Sequence, residues 1–359
     1  MLVLALCGTF SAATAAHECL GEPGGPVELA VGYQPYWPPA WSGVVQRARG
    51  GYRRHLPAGS TVEFHVGLRG AVLEEGLANG TLDLIYVGDL PAIRTGADPS
   101  QGSRIVAALG SSYDSCSILL VRSDTPPLPD ARSALRWLDG KRLGVPRGSC
   151  AERFAVETLA LGSVTPTGIV DHSILTLERS LVSRRIDAAY VWEPLATRLE
   201  RLGLARRAVT GRDFGLVDTG FLVASGELIR RRPDVLRGWL EAELDAQLFL
   251  LDPERTSEVI EMVVAQTIGL DAEDVRHALY ASLPGSAARS EMTFDFDPAR
   301  ALEIWNRLRS LALVGVPAQL DAAGLVHADP ARALLRSRGL TPPIGRIVPA
   351  PARENRDQP

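Results

Sequence analysis

From residue 27 onward the chain alternates short apolar runs with amphipathic stretches. The runs 27–31, 62–66, 82–87 and 105–109 predict strands, and 41–55 and 70–79 predict helices between them. Leu73 and Leu77 fall on one face of the second helix. A second passage of the same rhythm begins near Ser117. Strands over 118–121, 142–145, 168–170 and 186–192 alternate there with helices over 131–138, 151–161, 174–183 and 194–203. Parallel strands need a crossover helix, so this rhythm predicts two α/β units, each with a parallel sheet. A strand over 221–224 opens a mainly helical C-terminal part. Its longest helix, 234–250, carries Leu236, Leu240, Leu244 and Leu248 as a core-facing stripe.

Two such units in succession, with helices returning afterwards, imply two lobes with a ligand between them at the carboxyl ends of the strands. The length of 359 residues fits two cores better than one. The predicted division places 27–113 with 219–340 in lobe one and 114–218 in lobe two. Hydrophobic residues at 46% and charged residues at 22% suit a globular chain, and a net charge of -4 gives no reason to expect nucleic acid. Residues 1–16, apolar and then small, with Ala13-Thr14-Ala15 as a cleavage pattern, read as a secretion signal. Lipid attachment at Cys7 is the alternative to free export. Residues 17–26 read as a flexible leader and 341–359 as a loose tail. After loss of Cys7 three cysteines remain, and Cys116–Cys150 is the pair to test first for a disulfide. No cysteine or histidine cluster has metal-ligand spacing, so neither metal nor cofactor is expected.

Candidate chemistry falls just after the predicted strands. Gln34 lies in the loop Gly32-Tyr33-Gln34-Pro35-Tyr36-Trp37, whose aromatic rings either wall a small ligand or pack on their own lobe. Gly67-Leu68-Arg69-Gly70-Ala71 runs straight into a helix, where free N–H groups and the positive helix end favour an anion and Arg69 could add a charged contact. Gly88 would allow close backbone approach, while Asp89 either caps the next helix or meets a cationic ligand group. Ser149 is a plausible N-cap in Arg147-Gly148-Ser149-Cys150, and the same N–H groups could hold a sulfonate, carboxylate or nitrate.

Several elements then resemble one known family. Asp187-Ala188-Ala189-Tyr190-Val191-Trp192-Glu193-Pro194 looks like the D-A-x-x-x-W-[DE]-P element of periplasmic binding proteins for taurine, aliphatic sulfonates and nitrate. Leu82 to Asp89 resembles that family's strand ending in Gly-Asp, and Asp139-Gly140-Lys141-Arg142-Leu143-Gly144-Val145 its L-x-G-K stretch. The resemblance implies a type II periplasmic-binding-protein fold of two α/β lobes joined by a hinge. It implies ligand contacts at Gln34, Arg69, Gly70, Gly88, Asp89, Ser115, Ser149 and Trp192 or Glu193, with Cys116 and Cys150 also at pocket positions. The implied role is the solute-binding component of an ABC importer, a monomer that delivers a small anionic or zwitterionic solute to a permease and its ATPase. Nitrate, bicarbonate or a pyrimidine as ligand, and a sensory module, are the alternatives.

An enzyme is not expected. There is no G-x-S-x-G elbow, and the six histidines form no H-x-x-x-H or H-E-x-x-H pair. The remote enzyme rival is a pyrimidine-precursor synthase of the same fold, which uses a cysteine-rich motif and a lysine bound to pyridoxal phosphate. No such cysteine run occurs here, and the sole lysine, Lys141, sits beside a predicted buried strand.

Overall fold

The computed structural model describes residues 20–98, 100–280, 291–314, 320 and 322–348. The segment expected to be a secretion signal, Cys7, Cys19 and the tail from 349 lie outside them. The strands are β1 (Glu28–Tyr33), β2 (Thr61–Val66), β3 (Leu84–Gly88), β4 (Arg104–Ser112), β5 (Ile118–Arg122), β6 (Arg142–Val145), β7 (Gly168–Asp171), β8 (Ala188–Val191), β9 (Ala205–Thr210), β10 (Asp218–Ala224), β11 (Glu291–Met292) and β12 (Gly345–Arg346). They form a seven-stranded sheet, β12-β11-β4-β10-β3-β1-β2, and a five-stranded sheet, β7-β6-β8-β5-β9. Each sheet is the centre of one lobe. β3 and β10 are buried at every position, which explains their unbroken apolar sequences.

The sheets are mixed, not parallel as the rhythm predicts. β10 runs antiparallel to both β3 and β4, and β5 runs antiparallel to β8 and β9. Both reversed strands follow a passage between the lobes, at 113–117 and 211–217, where no crossover helix turns the chain round. The two passages are tied side by side. Cys116 N donates to Asp218 Oδ1 at 3.3 Å, Gly211 N to Ser117 O at 2.8 Å, and Arg212 pairs with Asp114 at 2.7 Å. β9 is absent from the sequence reading because Arg206 and Arg207 break its apolar run on an edge strand.

The predicted helix over 41–55 ends early. Trp41–Arg49 is helical, Gly50 turns left-handed at φ 62°, and Gly51–Arg54 continues as a 3-10 turn. The Leu-rich helix is Pro233–Leu251, with Leu236, Leu240 and Leu244 fully buried. It crosses the 3-10 turn closely, since a Cβ on Gly238 would lie 2.2 Å from His55 O.

Two segments read as loose are held over their described residues. Buried Arg232 donates to Leu20 O and, at 2.7 Å, to Gly25 O, while Asp234 takes Gly24 N at 3.0 Å. The Arg232 hydrogen bonds hold the Asp234 carboxyl down at about 2. At the other end β12 pairs with β11 and Ile347 is buried. Glycine, proline and charge made both segments look unstructured; one buried guanidinium and one edge pairing order them.

The core of lobe one holds a carboxyl with no paired cation among the described residues. Glu243 accepts from Tyr86 Oη at 2.7 Å and Gln247 Nε2 at 2.9 Å, and burial pushes it up to about 7. The folded chain therefore keeps this proton at a pH where the unfolded chain, titrating near 4.5, has lost it. Stability falls as pH rises from about 4.5 to about 7, by on the order of 3 kcal/mol. Glu243→Gln should remove that part of the slope, so its urea midpoint gains on the parent's between pH 5 and pH 8. Parallel midpoint curves would show that the carboxyl does not titrate in this range.

Candidate functional site

A cavity of about 10 Å³ lies where the lobes meet, room for about a single water molecule. It is lined by Gln34, Trp37, Gly70, Gly88, Pro91, Ser149, Cys150 and Trp192. Gln34, Gly70, Gly88, Ser149, Cys150 and Trp192 are sites named from the sequence. Trp37 and Pro91 are additional. The aromatic loop after β1 pointed to Trp37 without distinguishing it from its neighbours.

Three helices begin at this cavity. Gly70 opens Gly70–Ala78, Gly88 is the N-cap of Asp89–Ala97, and Ser149 is the N-cap of Cys150–Gly162. Each helix start carries a partial positive charge, so their convergence makes the cavity favourable for an anion, while Ala71 N, Leu90 N and Glu152 N already have acceptors within the chain. Ser149 accepts Glu152 N at 3.3 Å, the capping bond its type suggests. Gln34 Nε2 donates to Tyr86 O at 3.1 Å, which fixes its amide. Trp192 Nε1 donates to Tyr36 O at 2.9 Å across the lobes. Trp37 is nearly fully buried, and its Nε1 has no hydrogen-bond partner among the described residues. A buried N–H left unpaired costs about 1–3 kcal/mol, so an acceptor arriving here would recover that.

The lobes touch through backbone at this point. Ala71 N donates to Gly148 O at 3.1 Å. Gly148 has φ +68°, and a Cβ there would lie 2.4 Å from Ala71 Cβ. Gly88 meets the other lobe less closely, since a Cβ there would lie 3.2 Å from Cys150 Cβ. The loop glycines therefore set how far the lobes can shut.

The other sequence-named residues lie outside the cavity. Arg69 sits at the rim, its Nη1 donating to both oxygens of Asp171 at 2.8 Å, so it latches lobe to lobe. Asp89 is buried but faces Arg153 at 2.8 Å, and Arg153 also holds Glu157 at 2.6 Å. Near them burial, reinforced by Asp89 and opposed by Arg153, pushes Asp218 up to about 7. Ser115 contributes its carbonyl to Glu193 N at 2.8 Å. Glu193 caps the helix Leu195–Arg201 through Thr197 N at 3.0 Å and pairs with Arg207 at 2.7 Å. A sequence cannot show that an arginine of the chain itself already occupies each of these carboxylates.

Cys116 and Cys150 are joined in a disulfide, with Cα atoms 6.0 Å apart. It ties the first passage between lobes to the helix start at the cavity wall; Cys150 lines the cavity and Cys116 stands behind it. The bridge closes 34 residues of sequence, which corresponds to about 3–4 kcal/mol of loop-closure entropy.

Two outcomes follow. A chain carrying Cys116→Ala and Cys150→Ala should lose about 3–4 kcal/mol in urea unfolding; an unchanged midpoint would mean the bridge constrains nothing. Gly148→Asn keeps a residue that tolerates left-handed backbone but adds the obstructing Cβ. Its radius of gyration in small-angle scattering should rise above the parent's, and adding Ala71→Gly should bring it back. Identical scattering from all three would show that this contact does not limit closure.

No protein-family model matches the sequence, and a search of curated proteins returns no match. Solved structures do match. The alkanesulfonate-binding protein SsuA from Xanthomonas axonopodis pv. citri, bound to MOPS, has a TM-score of 0.69 at 21% identity, covering 86% of this chain and all of that one (100%). The periplasmic nitrate-binding protein NrtA from Synechocystis PCC 6803 has a TM-score of 0.67 at 14% identity, covering 88% of this chain and 90% of that one. The desulfurization enzyme DSZB has a TM-score of 0.60 at 18% identity, covering 87% and 99%. The fold is thus shared by binding proteins and by an enzyme. The likeness establishes the architecture: this chain has the two-lobed α/β fold of the periplasmic binding proteins.

Proposed function

We propose that the chain is the solute-binding component of an ABC importer, capturing a small organic anion of the sulfonate type between its lobes without transforming it. The observation that carries this is the convergence of three helix starts on one interlobe cavity whose wall includes Trp37, an indole with an unpaired N–H. With room for about one water, the closed cavity must part to admit a ligand and then shut on it. The hinged lobes suit that cycle. The closed form is what a membrane permease and its ATPase would recognise, with the binding protein exported and monomeric. No helix among the described residues is long and apolar enough to cross a membrane.

Charge decides between anion and zwitterion. Asp89 and Glu193 would have greeted a ligand ammonium, but Arg153 and Arg207 neutralise them inside the protein. A ligand with a lone anionic head therefore fits better than taurine. Against an enzymatic role, the cysteine that lines the cavity is held in a disulfide, and while oxidised it offers no thiolate nucleophile.

The purified, oxidised chain should be screened by thermal shift and calorimetry against short alkanesulfonates, taurine, nitrate, bicarbonate and pyrimidines. An alkanesulfonate at a hundred times its dissociation constant should stabilise by about 2.7 kcal/mol. Trp37→Phe should weaken that binding by about ten- to a hundredfold, the value of a hydrogen bond to a charged group. Arg69→Ala, which loses only a half-exposed latch, should cost less than tenfold. Binding of nitrate or a pyrimidine alone would redirect the ligand assignment. Consumption of the ligand would end the transport reading.

A further inference from the structure

A second opening between the lobes lies beside the cavity, a groove of about 460 Å³. That volume falls in the range of small-molecule sites. The second lobe supplies Ile174, Leu175 and Val182 from the helix Ile174–Val182, and Pro194 ahead of the next helix. The first supplies Tyr36 and Ile268. Leu175, Val182 and Ile268 are 49%, 56% and 86% exposed, so three large apolar side chains meet water around one concavity.

The groove's charges are not balanced. Glu178 is paired with Arg198 at 3.4 Å, and Arg198 also holds Asp274 at 3.1 Å. Arg179 also lines the groove and makes no ion pair or side-chain hydrogen bond among the described residues. An apolar concavity with one uncommitted guanidinium is complementary to a molecule with an apolar body and an anionic end.

We propose that this groove is a second ligand site, which takes an amphipathic organic anion: an aryl or alkyl body with a sulfonate, sulfate or carboxylate at one end. The body lies against Leu175, Val182 and Ile268, and the anion meets Arg179. Because both lobes form the walls, an occupant favours the closed arrangement. Tyr36 joins the two sites. Its hydroxyl accepts Ile268 N at 2.7 Å on the groove side, and its carbonyl accepts Trp192 Nε1 at 2.9 Å on the cavity side. The inference rests on the groove's own residues and stands whatever the cavity binds.

The test is a fluorescence titration of the oxidised chain with 8-anilinonaphthalene-1-sulfonate, a probe too large for the cavity. The expected result is saturable binding at one site. Arg179→Ala should weaken it at least fivefold, Arg179→Lys should largely retain it, and Leu175→Asp should abolish it. Both positions are solvent-exposed, so these variants should fold, and their melting curves check this. Gln34→Ala, in the cavity, should leave probe binding unchanged. Unsaturable binding, equal affinity in Arg179→Ala, or loss of binding in Gln34→Ala would each overturn the proposal. The last result would assign the probe to the cavity instead.

Discussion

The structure depends on how closely two backbones can approach across the cleft. Ala71 N reaches Gly148 O only because no side chain stands between them. With that contact made, the starts of three helices are brought to one point, and the space left is about 10 Å³. Each helix end contributes only ~0.3–1 kcal/mol to an anion, so no single one suffices. Their sum, in a site that excludes water and includes an unpaired indole N–H, is where useful affinity would arise.

Along the cleft the protein balances a dense set of buried and partly exposed carboxylates with its own arginines. Arg153 lies across the cleft from Asp89 and also holds Glu157, which Arg307 meets at 2.9 Å. Arg198 and Arg201 on the second lobe reach Asp271 and Asp274 on the first. Such pairs cost desolvation and return little net stability, but all except Arg153–Glu157, which lies within one helix, are satisfied only when the lobes are correctly docked. Their effect is specificity of closure. Asp218 belongs to the same group: it stands where the chain re-enters lobe one, and with its carboxyl near 7 it carries a proton through part of the neutral range.

Much of this was legible in the sequence. Apolar runs separated by amphipathic stretches gave most strands of both sheets, though not β9, β11 or β12, and the glycines and N-cap residue after those strands gave part of the cavity wall. Gly70, Gly88 and Ser149 could be found because close packing favours glycine at the first two and a helix N-cap favours serine at the third. What stayed hidden was pairing. Arg69, Asp89 and Glu193 look like ligand contacts until Asp171, Arg153 and Arg207 are seen beside them, and those partners lie in the other lobe or, for Arg207, 14 residues along the chain. Strand direction was hidden for the same reason, since nothing in Phe221-Leu222-Val223-Ala224 records which way the chain arrives.

The central claim is that an anion is held at the meeting point of the helix starts and accepts the Trp37 N–H. The most direct measurement is the indole region of a ¹H–¹⁵N spectrum, in which the chain's 6 tryptophans can be assigned by substitution. On titration with an alkanesulfonate the Trp37 indole proton should move downfield and saturate with the same dissociation constant that calorimetry gives. A Trp37 signal that stays fixed while the ligand binds would contradict the account.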